Sequence, residues 1–425
     1  MFRFRESFAP MGAAARGLLL LAGVAGLPAL AQTFPPESTA RGVTVQTRPR
    51  PEFDPLGVRA GAFRLDAAAE AGLSYNDNVF ATRRDRTGDG FGAWSLDAGL
   101  RSDWTRHGVG VTASYSEVRH FSQTILDWRD WSVGAFGRLD IGGSSSVEAR
   151  YNHLRQHLDV FSVDIQQAGL SRPAPYDVDE FQVSGNARLN RLFLTGLLNY
   201  RIYQFEDVSF GNRVAPLSQN DHKTWLAALG SGYALAPGRL VTLIGRIQEI
   251  RYDDAISRGR DSFTWEILTG FQYDFDGVWQ ARFGIGYRQR NYDSPQIKNL
   301  EGLALEGEVI WTPTLLTTVT FGVRRTVEES IALSQVSYTR SLAQLRVDHE
   351  LLRNVILGAE LGFDRREYET HLRATDMYTI LSGRWLINRN MSLSASYQFL
   401  TRIEAKGGAE EYYRNLFQVR LRFAL

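Results

Sequence analysis

His153 and His157 stand four positions apart, the spacing at which a helix offers two imidazoles to one metal ion. On a strand the same spacing separates them by ~13 Å, which rules against a shared ion. His349-Glu350 opens like the zinc-binding helix of a metalloprotease, yet Arg353 stands where the second His belongs, and the pair is expected in a turn. Asn76, Asp77 and Asn78, with Asp85 and Asp89 downstream, are hard oxygen donors of the kind calcium takes. Their spacing matches no calcium loop, and a solvated polar loop is the simpler reading. A Ser or Thr nucleophile would need a His base on an adjoining strand, and no local motif supports one. The chain has no Cys, which excludes disulfides, thiolate metal sites and a Cys nucleophile. No catalytic residue, metal or cofactor is therefore expected, and the chain does not read as an enzyme.

Arginine is the residue whose abundance invites a role. Lys223, Lys298 and Lys406 are the only lysines, so nearly all positive charge is guanidinium. A guanidinium stays charged everywhere and presents a planar fork to carboxylates and phosphates. GC-rich codon usage explains the bias equally well at this level.

The elements that must position these arginines have period two. At the C-terminus Phe417, Val419, Leu421, Phe423 and Leu425 share one face, while Gln418, Arg420, Arg422 and Ala424 share the other. The pattern recurs at Trp265, Ile267, Thr269, Phe271 and Tyr273, at Ala281, Phe283, Ile285 and Tyr287, and at Phe181, Val183, Ala187 and Leu189. After residue 27 no apolar run approaches the roughly 20 residues of a membrane helix. Alternation also suits a soluble sandwich, so further features decide.

Short turns are expected at Gly142-Gly143-Ser144, Leu189-Asn190-Arg191, Pro237-Gly238, Asp276-Gly277, Thr312-Pro313-Thr314 and Asn388-Arg389-Asn390, with less sharp ones at 103–108 and 349–354. Longer polar loops lie between them, as at 76–90, 159–179 and 206–221. Short turns at one end and long loops at the other mark an outer-membrane barrel. Trp104, Trp279, Trp311 and Trp385 fall beside short turns, and Trp94, Trp128, Trp131, Trp225 and Trp265 just inside long loops. That sorting predicts two aromatic belts at the membrane interfaces. The fold class expected is all-β: a transmembrane antiparallel up-and-down barrel of about 18 strands, or 16, over residues 61–425.

Ahead of the barrel, residues 1–31 read as a signal peptide. Arg3, Arg5 and Arg16 make a basic region, residues 17–27 a short apolar stretch, and Ala29-Leu30-Ala31 a cleavage site. Residues 32–60 carry Pro35-Pro36, Arg48-Pro49-Arg50-Pro51 and Asp54-Pro55, a proline density that excludes helix and central strand. An extended periplasmic segment is expected, a linker in the plain reading and a docking segment for a partner in the other. Without its signal the chain is close to neutral, which gives no case for nucleic acid.

Several stretches carry a resemblance: Arg48-Pro49-Arg50-Pro51-Glu52-Phe53-Asp54-Pro55-Leu56-Gly57, Tyr75-Asn76-Asp77-Asn78-Val79-Phe80-Ala81-Thr82, Thr312-Pro313-Thr314-Leu315-Leu316-Thr317-Thr318-Val319-Thr320 and Val347-Asp348-His349-Glu350-Leu351-Leu352-Arg353-Asn354. On these the chain resembles the outer-membrane β-barrel porin family of alphaproteobacteria that is commonly linked to exopolysaccharide export. The resemblance implies a porin-type barrel in the bacterial outer membrane and points to an acidic polysaccharide as cargo. It departs from the usual terminal aromatic, since Ala424-Leu425 follow Phe423.

Alternation assigns an inward set. Arg101, Arg138, Arg150, Arg188, Arg246, Arg282, Arg288, Arg324, Arg340, Arg346, Arg420 and Arg422 point in, with Asp97, Glu148, Glu180, Glu266, Glu306, Glu308 and Glu360. An excess of arginine in a narrow wet channel favours anions. Cross-strand ion pairing that only fills and stiffens the lumen explains the same residues, and both readings stay open. The function expected is a channel for polysaccharide export or for diffusion of polar and anionic solutes. A non-conducting structural or receptor barrel is the alternative, and a lipid-modifying enzyme a more distant one. Partners expected are outer-membrane lipid, a polysaccharide and a periplasmic export complex.

Overall fold

A strand with one apolar and one charged face leaves its backbone groups unpaired at both edges, and in lipid only closure satisfies them all. This chain closes. The computed structural model describes residues 43–210, 213–275, 277–332 and 335–425. The expected signal peptide and the start of the Pro-rich segment lie outside the described residues.

The strands are β1 (Val58–Ala60), β2 (Phe63–Asn76), β3 (Asp89–Ser102), β4 (Gly108–His120), β5 (Trp128–Ile141), β6 (Ser145–Leu158), β7 (Ala174–Leu189) and β8 (Leu192–Phe205). A small hairpin follows, β9 (Val208–Phe210) with β10 (Arg213–Ala215). The chain continues as β11 (His222–Ala236), β12 (Arg239–Tyr252), β13 (Ser262–Phe275), β14 (Trp279–Tyr292), β15 (Leu300–Thr314), β16 (Thr317–Glu329) and β17 (Ser337–Leu352). It ends with β18 (Val355–Tyr368), β19 (Arg373–Leu386), β20 (Met391–Lys406) and β21 (Tyr413–Ala424). From β2 to β8 and from β11 to β21 each strand pairs antiparallel with the next, and β8 pairs with β11. The seam is β2 against β21, from Ala68↔Ala424 to Asn76↔Leu416. The result is an 18-strand closed antiparallel barrel, with β1 as a short extra strand on β2.

The expected alternation of connections is present, with some limits shifted. β15 runs through Thr312-Pro313-Thr314, and an irregularity between Trp311 and Thr314 leaves the turn to Leu315-Leu316. β17 likewise runs through His349 and Glu350 to Leu352, so this pair is in a strand rather than a turn. The loop after β6 ends at Pro173, since Ala174 already begins β7. Asn190 holds a turn with φ 57°, a left-handed conformation that Asn tolerates better than most residues.

The outward face is apolar, with Leu73, Leu96, Leu229, Leu243 and Phe417 exposed. Most of the tryptophans belong to it. Trp94, Trp225, Trp279, Trp311 and Trp385 are exposed outward, and Trp104 is exposed in its turn. Trp279 and Trp311 stack at 5.2 Å, Trp225 stacks on Tyr200 at 4.1 Å, and Trp265 lies near Tyr287. Trp131 tilts against His153. Trp128 departs from the expected belt: it stacks on His157 and packs toward Phe91, Ala93, Val118 and Leu416, a buried inward cluster. Its register opposite Val118 puts it on the inward side.

The acidic loop after β2 is a set of turns. Asn78 Oδ1 accepts from the Thr82 amide, and Asn78 Nδ2 donates to the Thr82 and Tyr413 carbonyls. Asp77 accepts from the amide and side chain of Asn415, and Asp89 accepts from the Ser122 and Gln123 amides. These oxygens hold loops to the rim.

Candidate functional site

Register fixes which side chains share the lumen, because facing residues on neighbouring strands point the same way. In the middle, Glu266 on β13 faces Arg246 on β12 and Arg288 on β14. Arg246 donates to Glu266 at 2.6 Å and to Glu306 at 3.0 Å, and Arg288 also pairs with Glu266. Arg324 is directly opposite Glu306, and Arg282 opposite Glu308. Glu180 pairs with Arg201 and accepts from Asn152 and Asn199. On the far wall Arg340 pairs with Asp364 and Glu328, and Arg346 with Asp348 and, at 3.6 Å, Glu360. Toward the short turns Arg101 reaches Asp66, Arg138 reaches Asp140, Arg150 reaches Glu148, and Arg420 reaches Glu70. Arg188 lies over the Phe193 ring. Asp97 faces Ala68 and Ser114. Arg422 faces Glu70 across the seam, but its Nη1 is buried without a hydrogen-bond partner.

Other inward groups complete the wall: Arg201, Arg290, Asp364, Arg366, Asp376, Arg402 and Arg414. Arg201 pairs with Glu180 and Arg290 with Glu329, whereas on β18 to β20 a ribbon forms at the loop end, where Arg366 bridges Asp364 and Asp376, and Asp376 takes Arg402 at 2.7 Å. Alternation carried the signal for most of them: Arg290 is two residues from Arg288, Asp364 and Arg366 are an even number from Glu360, and Arg414 is six from Arg420, while Arg201 faces Glu180 and Asp376 faces Asp364.

This ribbon anchors a plug. The loop at 159–173 turns inward and forms one helical turn, α1 (Val163–Gln167). Five residues cannot hold a helix alone; burial does it. Val163, Ile165 and Leu170 are almost wholly buried, among Tyr176, Phe205 and Leu217 on one side and Tyr338, Tyr368 and Leu372 on the other. At roughly 1.5–3 kcal/mol per buried aliphatic side chain, apolar packing dominates the docking. Polar anchors set its position. Asp164 Oδ1 accepts from Ser330 at 2.8 Å and Tyr368 at 2.9 Å. Arg402 donates to the Gln166 side chain and the Phe161 carbonyl, and the Arg414 guanidinium lies 3.6 Å from the Phe161 ring centroid. Burial pushes the carboxyls of Asp159 and Asp164 above the usual range, despite nearby Arg414 for the first and the two hydroxyls for the second.

At the opposite end, residues 43–57 lie against the inner rim, so the described part of the Pro-rich segment is no free linker. Val45 is buried, and its amide donates to Thr318 Oγ1. Gln46 donates to Asp348; Arg48 and Arg50 pair with Glu350 at 3.2 and 2.7 Å. Arg353 donates to the Pro49 carbonyl, Arg389 to the Pro51 carbonyl, and the Gly57 amide to the Leu425 carbonyl. The segment is a strap from β16 round to β21.

His153 pairs with Asp179, and His157 with Asp130, so the two imidazoles have separate partners. Among the described residues no group of three or more His, Asp or Glu is arranged to hold a metal ion.

Residues 50–425 match the model of a family described as "Putative beta-barrel porin 2". No curated protein matches this chain. Among solved structures, a BenF-like porin from Pseudomonas fluorescens Pf-5 is similar with a TM-score of 0.51 at 12% identity, covering 86% of this chain and 99% of that one. Pseudomonas aeruginosa OccK9 (OpdG) is similar with a TM-score of 0.49 at 13% identity, over 85% and 98% of the two chains. A mutant of the ferric enterobactin receptor PfeA of the same species has a TM-score of 0.46 at 8% identity, over 85% and 80%.

Proposed function

This chain belongs to the putative beta-barrel porin 2 family, and from that premise we propose a channel of the bacterial outer membrane that passes anionic solutes and is gated by its own inward loop. The leading cargo is an acidic exopolysaccharide leaving the cell, working with a periplasmic export complex. The observation that carries this reading is the arginine-rich inner wall beneath a docked plug. A low-dielectric wall focuses the field of guanidiniums that exceed their carboxylate partners, which raises local anion concentration and disfavours cations. The loop gives such a path a closed state.

The test is conductance in planar bilayers. The expected result is brief or low conductance for the full protein, and a steady, anion-selective conductance once residues 161–170 are replaced by a short Gly-Ser link. Cation selectivity would overturn the anion reading. In the producing strain, deletion of the protein should lower surface polysaccharide, and normal export would remove that cargo. One observation favours a second reading: the plug buries apolar side chains on both sides of the lumen, as a permanently closed receptor or structural barrel would. That barrel stays silent even without the loop.

A further inference from the structure

The inner wall near the short turns carries guanidiniums that the ion-pair network leaves over. Arg384 on β19 faces Ser394 on β20, which faces Arg420 on β21. One row nearer the turns, Ser392 faces Arg422. Two strand spacings put the backbones of Arg384 and Arg420 about 10 Å apart, with Ser394 between them, its hydroxyl in a long 3.5 Å contact with the Arg420 carbonyl. Gly72 on β2 adds to this clearance: a Cβ there would come within 2.7 Å of Arg420 Cγ, so the arginine lies along the wall. Among the described residues neither Arg384 nor Arg422 makes an ion pair or a side-chain hydrogen bond, and Arg422 Nη1 is buried without a partner. The charged neighbours of Arg384 are Arg422 and Arg346, and the carboxylates Glu70 and Asp348.

The carboxylates that would cancel this charge are occupied. Glu350 shares a row with Arg384 through Ile356. It is held by Arg48 and Arg50 of the strap and by Arg353 at 3.5 Å. Asp348 is taken by Gln46 and Arg346. Glu70 is bonded to Arg420. Like charges this close are unfavourable unless an anion sits between them, and forked guanidiniums with hydroxyl donors match an oxyanion.

We propose that Arg384, Arg420 and Arg422, with Ser392 and Ser394, form an oxyanion-binding site at the periplasmic vestibule, and that the strap keeps it positive by neutralising Glu350. The site takes a carboxylate or phosphate group on a chain entering from the short-turn end. It deepens the channel reading and rests on it for the direction of entry. Arg48 and Arg50 are positioning residues, acting through Glu350 and not on the ligand.

The test is calorimetry on the full protein in detergent at low salt, with trigalacturonate and tripolyphosphate as probes. At least one probe is expected to bind, and the one that binds names the oxyanion. Arg384→Ser and Arg422→Ser should each weaken it about tenfold, the value of one charge-assisted hydrogen bond. Arg384→Lys should recover part of the loss, because it keeps the charge without the fork. The double change Arg48→Gln with Arg50→Gln should also weaken binding, and it decides the matter if the wall variants do not fold. No binding of either probe, or equal binding by all variants, would overturn the site. Binding without conductance, even in the loop replacement, would remove the channel and leave the site. Anion-selective conductance with unchanged binding in the variants would remove the site and leave the channel.

Discussion

Glu266 holds two guanidiniums at once, Arg246 and Arg288, and both acid and Arg246 are nearly inaccessible. Removing one partner of a buried pair leaves an uncompensated charge, at a cost of about 3–5 kcal/mol. Glu266→Gln should therefore lower the temperature at which the detergent-solubilised barrel unfolds on a heat-modifiability gel; an unchanged transition would show that lumen water screens the pair. The buried plug carboxyls make a pH prediction. Burial raises the Asp159 and Asp164 pKa values in the docked loop, so docking binds protons. The associated stability is complete below the free Asp value of about 3.9 and is lost as pH rises through the docked value. Acidification from neutral pH should lengthen closed times in single-channel records, and Asp159→Asn with Asp164→Asn should flatten that dependence. Longer open times at acid pH would contradict it.

Strand pairing is the element that admits least change. Gly286 on β14 lies so close to β13 that a Cβ would stand 1.8 Å from the Ile267 carbonyl oxygen. Gly286→Ala should break this stretch of ladder and cut the yield of heat-modifiable barrel severely, whereas Gly245→Ala, with open space at its Cβ, should fold normally. The strands were legible because period two is local: a face shows within a few residues, as at Phe417 to Phe423, and inward arginines follow by parity. Trp128 shows the limit of reading position without parity. It sits beside a loop like its belt neighbours, yet it shares the face of Asp130 and Arg138. Docking of the plug and the strap was not legible. Residues 159–173 have no period, and Arg48 and Arg50 look like solvated linker charges until Glu350 comes round to meet them. Arg384 was missed because its strand alternates weakly near Ser382 and Gly383.

At the scale of the whole molecule, two ends of one lumen are treated differently. The loop end is covered by the apolar packing of the plug; among the described residues the short-turn end carries Arg384 and Arg422 without ion-pair partners and no such plug. Selectivity should therefore be electrostatic: the reversal potential of the loop-replaced barrel should favour anions most at low salt and fade near 1 M, where the Debye length falls to about 3 Å. Selectivity that ignores salt would place the filter in the geometry of a constriction instead. The strap also has a meaning in time. Gln46 meets Asp348 across 302 positions, and Gly57 is tied to Leu425, the last residue of the chain. The earliest described residues thus have no seat until the latest strands have formed and the seam has closed. A seated strap is a record that assembly has finished, written at the end of the chain that was made first.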